Sequence, residues 1–168
     1  EIEVAAGRDF PVNRWDAVSY LDRIRMMYDP VVEVIGPRRW TRVLSTMGEA
    51  LRWLETRAHT FVHGDFTEQN IVVDDDARGY LVDFERVGAG NQDHDLAWLL
   101  AHTTRGEAWR QRLLTRHFED LHGSRRIASE WGIRAAWIYL ALRRLRFGFL
   151  THGTGDPQAE KNLILLDL

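Results

Sequence analysis

The sequence contains no cysteine among its 168 residues. Disulfides and thiolate metal sites are therefore excluded, and a reducing compartment is the default expectation. Lysine is nearly absent as well. Lys161 is the only one, and every other basic residue is arginine. No uninterrupted apolar run approaches the roughly 18 residues needed to cross a bilayer. The first residues show no basic segment followed by an apolar one, so no secretory signal is read there and a cytoplasmic location is expected. Charge of either sign is not in excess: the formal net charge is -3 at pH 7. That balance argues against broad contact with nucleic acid, and neither a membrane nor a nucleic-acid partner is expected.

What is present suffices for a core. The chain is 45% hydrophobic and 28% charged, at a length typical of one domain. Residues 1–12 read as a connector. Asn13 and Asp16 resemble a capping pair. Val18, Leu21, Ile24 and Tyr28 follow at helical spacing, and Pro30 is expected to close that helix. A second helix opens near Pro37, with Trp40, Val43, Leu44, Met47, Leu51 and Leu54 on one face, and should end near Thr60.

The pattern then changes. Phe61-Val62, Asn70 to Val73 and Tyr80 to Val82 are β-prone runs, and Asp74-Asp75-Asp76 with Gly79 marks a turn. The last two runs predict a hairpin. Residues 83–93 read as a loop without periodicity. The remainder reads as helical, with one apolar stripe from Trp109 to Leu121 and a longer one from Ile127 to Phe149. Gly153 to Pro157 reads as a break, and Leu163 to Leu168 as a final apolar segment. No repeat or internal domain boundary is evident.

The chemistry concentrates in FVHGDFTEQNIVV, residues 61–73, and YLVDFE, residues 80–85. Asp65 falls in a loop between short strands. Asn70 follows five residues later, and Asp83 ends the strand that pairs with Asn70's. A tight hairpin brings Asn70 and Asp83 to the same end of a sheet, so two oxygen ligands and one free carboxylate converge. Phosphoryl transfer from ATP asks for that set. A hard divalent cation takes oxygen ligands, and a carboxylate positions the attacking hydroxyl and accepts its proton. Asp, then Asn five residues on, then a downstream Asp-Phe is the kinase spacing.

HGDFTEQNIVV with VDFE and the following DLAWLL resembles the aminoglycoside phosphotransferase-like small-molecule kinases, a family that includes choline kinase-type enzymes. The resemblance implies an α+β, mainly helical fold, the C-terminal lobe of a protein-kinase-like enzyme, with a small β-hairpin carrying the catalytic and metal-binding loops. It implies Asp65 as catalytic base, and Asn70 and Asp83 as ligands of Mg2+ and, through it, of ATP. Asp95 would brace the catalytic loop through backbone hydrogen bonds, with His63 and Gly64 shaping that loop. The acceptor would be a hydroxyl of a small molecule: an aminoglycoside or other antibiotic, an amino alcohol or a sugar derivative. Some of Trp98, Trp131, Trp137 and Tyr139 are candidates to line its pocket.

Such kinases need a lysine before the catalytic loop to grip the phosphates, and no lysine precedes position 161. Arginine is a poor substitute, because its planar fork differs from a compact ammonium. Residues 1–168 are therefore expected to form one domain, the C-terminal lobe alone, with the nucleotide-cradling N-terminal lobe as its partner. Alone, the chain is expected to be inactive.

Blander readings compete. Asp65, Asn70 and Asp83 are residue types that also favour turns. A kinase-like binding module without activity would share the lobe. His59 and His63 stand four apart, as zinc ligands do on a helix. Asp93-His94-Asp95, with His102 and His117, invites a metal-dependent phosphohydrolase reading, although His94 reads rather as a loop residue. Arg143, Arg144 and Arg146 read as a solvated face, with a phosphate or carboxylate partner as the alternative.

Overall fold

Asp16 starts the first helix: its Oδ1 accepts the Ser19 amide at 2.7 Å, satisfying one of the amides that a helix start leaves free. The computed structural model describes residues 13–55, 57 and 59–152. The expected connector at 1–12, the break at 153–157 and the final apolar segment lie outside them. Asn13 does not act as a cap. It opens β1 (Asn13–Trp15), which precedes α1 (Ala17–Arg25).

Pro30 does not close α1 either. It lies in the first turn of α2 (Tyr28–Leu54), where a missing N–H removes no helical hydrogen bond. The helix bends at Gly36, whose φ of 77° and ψ of 159° leave the helical region. Only glycine enters that region without penalty, and the following Pro37 disfavours helical backbone in the residue before it. A helix does restart at Pro37, but it ends at Leu54 and not near Thr60, which begins a strand.

Two small sheets follow. The expected hairpin is present: β3 (Ile71–Val73) pairs antiparallel with β4 (Gly79–Leu81), with Ile71 opposite Leu81. The second sheet was not expected. Its central strand, β5 (Gly88–Gly90), pairs parallel with β1 and antiparallel with β2 (Thr60–Val62). The segment read as an aperiodic loop thus contains a strand.

Three helices complete the described residues: α3 (Asp93–His102), α4 (Glu107–Phe118) and α5 (Gly123–His152). The fold is α+β and mostly helical. Helix α5 is its spine, packing along α2, α3 and α1. Ile24, Val31, Met47, Ala97, Leu142 and Leu145 are among the core side chains with at most 1% exposure or none. Burial of apolar side chains on this scale is what holds short strands and glycine-rich loops in place.

Candidate active site

The loop from His63 to Asn70 leaves β2 and enters β3. Gly64 is its tightest point, with φ +79°. A Cβ there would strike the Arg86 carbonyl and lie 2.8 Å from Trp15 Nε1. Glycine is thus required twice, for its dihedral and for close approach. Trp15 Nε1 donates to that same Arg86 carbonyl at 2.9 Å, which joins β1 to the segment after Asp83.

Asp95 lies in the first turn of α3, half-buried. Its Oδ2 accepts the His63 amide at 2.8 Å and its Oδ1 the Gly64 amide at 2.9 Å. Burial raises its pKa above the usual aspartate value, and the two amides oppose that rise. The His63 ring is buried. Its Nε2 donates to the Val82 carbonyl at 2.9 Å, so the loop is tied to α3 through its backbone and to the hairpin through a side chain. The ring packs on Phe84 with centroids 5.0 Å apart.

Asp65 is half-buried, and no hydrogen-bond partner holds its carboxylate among the described residues. Asn70 Nδ2 donates to the Asp65 backbone carbonyl at 2.8 Å, which leaves the Asn70 side-chain oxygen for another partner. The Asn70 carbonyl accepts the Val82 amide at 3.0 Å, so Asp83 follows directly on Asn70's neighbour. Asp83 is exposed and left-handed, with φ 63°, a conformation aspartate tolerates better than most residues. An amide oxygen and a free carboxylate at one hairpin end are hard oxygen donors, and they suit a Mg2+ ion that keeps several waters.

Glu68, between Asp65 and Asn70, carried no role in the sequence reading. Its Oε1 accepts Thr103 Oγ1 at 2.9 Å and Arg105 Nε at 2.7 Å. The Thr103 and Arg105 bonds hold its pKa below the usual glutamate value. The segment between Asp65 and Asn70 is thereby tied to the residues that follow α3. The sequence signal was a glutamate inside the loop motif, but its partners lie 35 and 37 residues away.

A buried network supports the other end of α3. Asp93 is fully buried. It pairs with Arg57 and accepts Ser129 Oγ at 2.6 Å. His117 Nε2 lies 2.8 Å from that hydroxyl. His94 is no loop residue: it belongs to the first turn of α3 and is fully buried. Its Nδ1 shares a 2.7 Å hydrogen bond with the Tyr20 hydroxyl. Burial above all, then Arg23, Arg143 and Arg86, lower its pKa to about 3, and the Gly64 backbone opposes this only in part.

The remaining histidines of the metal readings are also engaged by protein groups. His59 Nε2 lies 3.7 Å from Asp16 Oδ2, and His102 Nδ1 donates to the Trp98 carbonyl at 2.9 Å. Among the described residues no three His, Cys, Asp or Glu side chains cluster as metal ligands. The aromatic candidates separate into two places. Trp98 and Tyr139 are buried, Trp98 against His94 and Tyr139 stacked on Tyr20, which bonds His94. Trp131 and Trp137 instead line an apolar groove of about 510 Å3 with Leu114 and Phe118 of α4, to which the loop from His63 to Asn70 contributes no wall. Arg143 and Arg144 are half-buried, against the expected solvated face; Arg146 is exposed.

Residues 8–128 match the family model of the phosphotransferase enzyme family, APH. The chain belongs to that family. No curated protein matches it at a significant level. The matched span holds all of the loop, the hairpin and Asp95, whereas most of α5 lies beyond it. Among the described residues of this phosphotransferase family member, no helix is long and apolar enough to cross a membrane.

Proposed function

We propose that this chain is the catalytic and acceptor-binding lobe of a kinase that moves the γ-phosphoryl group of ATP to a hydroxyl of a small molecule. One observation carries the reading. Asp95 fixes the backbone on the N-terminal side of Asp65, Asn70 fixes the Asp65 carbonyl, and among the described residues the Asp65 carboxylate is left without a hydrogen-bond partner. A rigid backbone with a free carboxylate is what positions an attacking hydroxyl.

In this reading Asp65 orients the acceptor hydroxyl and takes its proton as the oxygen attacks. Asn70 and Asp83 hold Mg2+, which neutralises charge on the phosphates when bound. His63, Gly64 and Asp95 keep the loop in register. Family membership supports phosphoryl transfer, and the identity of the nucleotide and metal is part of the proposal.

The phosphate-gripping lysine belongs, in this proposal, to an N-terminal lobe of the same cytoplasmic protein. Two features support that. The only lysine is Lys161. Moreover, β2 and the hairpin leave Phe61, Val72, Val73, Tyr80, Val82 and Phe84 exposed, an apolar surface that a nucleotide-cradling lobe would cover. An inactive binding module is favoured only by the missing lysine.

The test is Asp65→Asn in the complete protein. Turnover should fall by about 100-fold or more, with an unchanged unfolding midpoint. Near-normal phosphorylation by that variant removes Asp65 as the base.

A further inference from the structure

Three arginines from distant parts of the chain act on one another electrostatically, and one of them, Arg143, also interacts with Asp65. Arg23 comes from α1, Arg86 from the segment after Asp83, and Arg143 from α5. Each lies over an aromatic ring. The Arg23 guanidinium carbon is 4.4 Å from the Trp15 ring centroid, and those of Arg86 and Arg143 are 5.9 and 5.2 Å from that of Trp98. All three are half-buried. None makes an ion pair among the described residues, unlike Arg57 with Asp93 or Arg105 with Glu68.

A cation–π contact leaves a guanidinium's hydrogen-bond donors available. Those N–H donors form a fork suited to oxyanions. Three like charges held close together and partly out of water repel one another. Burial, followed by Arg86 and Arg23, depresses the Arg143 pKa, while Tyr139 and Asp65 oppose this. One acid among those contributors is Asp65, the group placed at the reaction centre. A second observation lies at the same place: the Trp98 indole N–H, on the ring that Arg86 and Arg143 approach, is buried without a partner among the described residues.

We infer that Arg23, Arg86 and Arg143 bind an oxyanion carried by the acceptor, so the acceptor is a hydroxylated acid or a sugar phosphate. This rests on the reading of Asp65 as the base, and it narrows the acceptor class. A polycationic aminoglycoside would bring more positive charge against three unpaired arginines. An acid group seated on the arginines neutralises them and presents a hydroxyl of the same molecule to Asp65.

The test is calorimetric titration of the complete protein, without nucleotide and at low salt, with matched probes: gluconate against sorbitol, glucose 6-phosphate against glucose, plus inorganic phosphate and kanamycin. At least one hydroxylated anion should bind about 10-fold or more tightly than its neutral counterpart. That preference should vanish in Arg143→Gln and, independently, in Arg86→Gln, while Arg143→Lys retains part of it. Asp65→Asn should bind the anion at least as well as wild type, so a failed base assignment would appear in turnover and not here. Absence of any preference for anions overturns the inference, as does a preference surviving both glutamine variants, or tighter binding of kanamycin. Inorganic phosphate binding as tightly as both hydroxylated anions overturns it too, because the arginines would then serve the transferred phosphoryl group.

Discussion

The Gly64 amide donates to Asp95 Oδ1 at 2.9 Å across 31 residues of chain, and the neighbouring His63 amide donates to the other oxygen of the same carboxylate. One side chain thus satisfies two loop amides that would otherwise be left without partners. Replacing Asp95 by Asn turns one acceptor oxygen into a donor that faces an amide N–H. The expected cost is about 2 kcal/mol in unfolding free energy together with a large fall in turnover. Asp65→Asn should lower turnover with no such cost. Urea unfolding alongside an activity assay separates the two. Equal stability losses in both variants would mean that Asp65 also holds the loop.

How much of this was legible beforehand depended on where each residue's partners lie. The hairpin was readable because Ile71–Val73 and Tyr80–Leu81 are β-prone and an Asp-rich turn stands between them. The restart at Pro37 was readable from local chemistry. Strand β5 was not, since Gly88, Ala89 and Gly90 have no β-prone side chains. A Cβ at Gly88 or Gly90 would strike the backbone of β1, so the strand exists through close approach rather than through propensity. Pro30 was misread because a proline marks a helix start as readily as a stop. In the candidate site, the placement of Asp65 in the loop and of Asn70 and Asp83 at one hairpin end was legible because they lie within 19 residues of one another. Glu68's partners, the Asp93 network and the three arginines that lie over aromatic rings were not, because tertiary packing alone brings them together.

Gly64 offers a second test of the loop. Ala at that position meets an unfavourable φ of +79° and the Arg86 carbonyl. Loss of about 2–3 kcal/mol is expected. Trp15 should report it, because its indole bond to Arg86 sits at the collision. A shift in tryptophan fluorescence should accompany the lowered urea midpoint. An Ala variant as stable as wild type would show that the loop relaxes freely.

The Asp93 network should matter for stability more than for chemistry. Asp93 is fully buried, and Arg57 neutralises it. Arg57→Met strands that charge, and about 3 kcal/mol should be lost. Ser129→Ala removes one neutral donor to the same carboxylate and should cost about 1–2 kcal/mol. Because Asp93 and Asp95 share the first turn of α3, the Arg57 variant should also lower turnover in proportion to its local disorder. Hydrogen exchange at the His63 and Gly64 amides would detect that loosening. Unchanged protection there would uncouple the network from the loop.

His94 makes the pH dependence of stability predictable. Its pKa is about 3 in the folded chain against 6.5 for the free side chain. Between these values the unfolded chain takes up a proton that the folded chain refuses. Stability is therefore complete above pH 6.5 and declines as pH falls toward 3. The slope from this one group approaches, at most, roughly 1.4 kcal/mol per pH unit. His94→Gln keeps a polar partner for the Tyr20 hydroxyl and removes the titrating ring. Urea midpoints from pH 7 to 4 should decline more gently in that variant, with the gap widening toward acid. Carboxylates elsewhere add the same slope to both proteins, so the difference isolates His94. Parallel curves would mean that the ring reaches a proton in the folded state, and the neutral His94 packed between Trp15 and Trp98 would have to be abandoned.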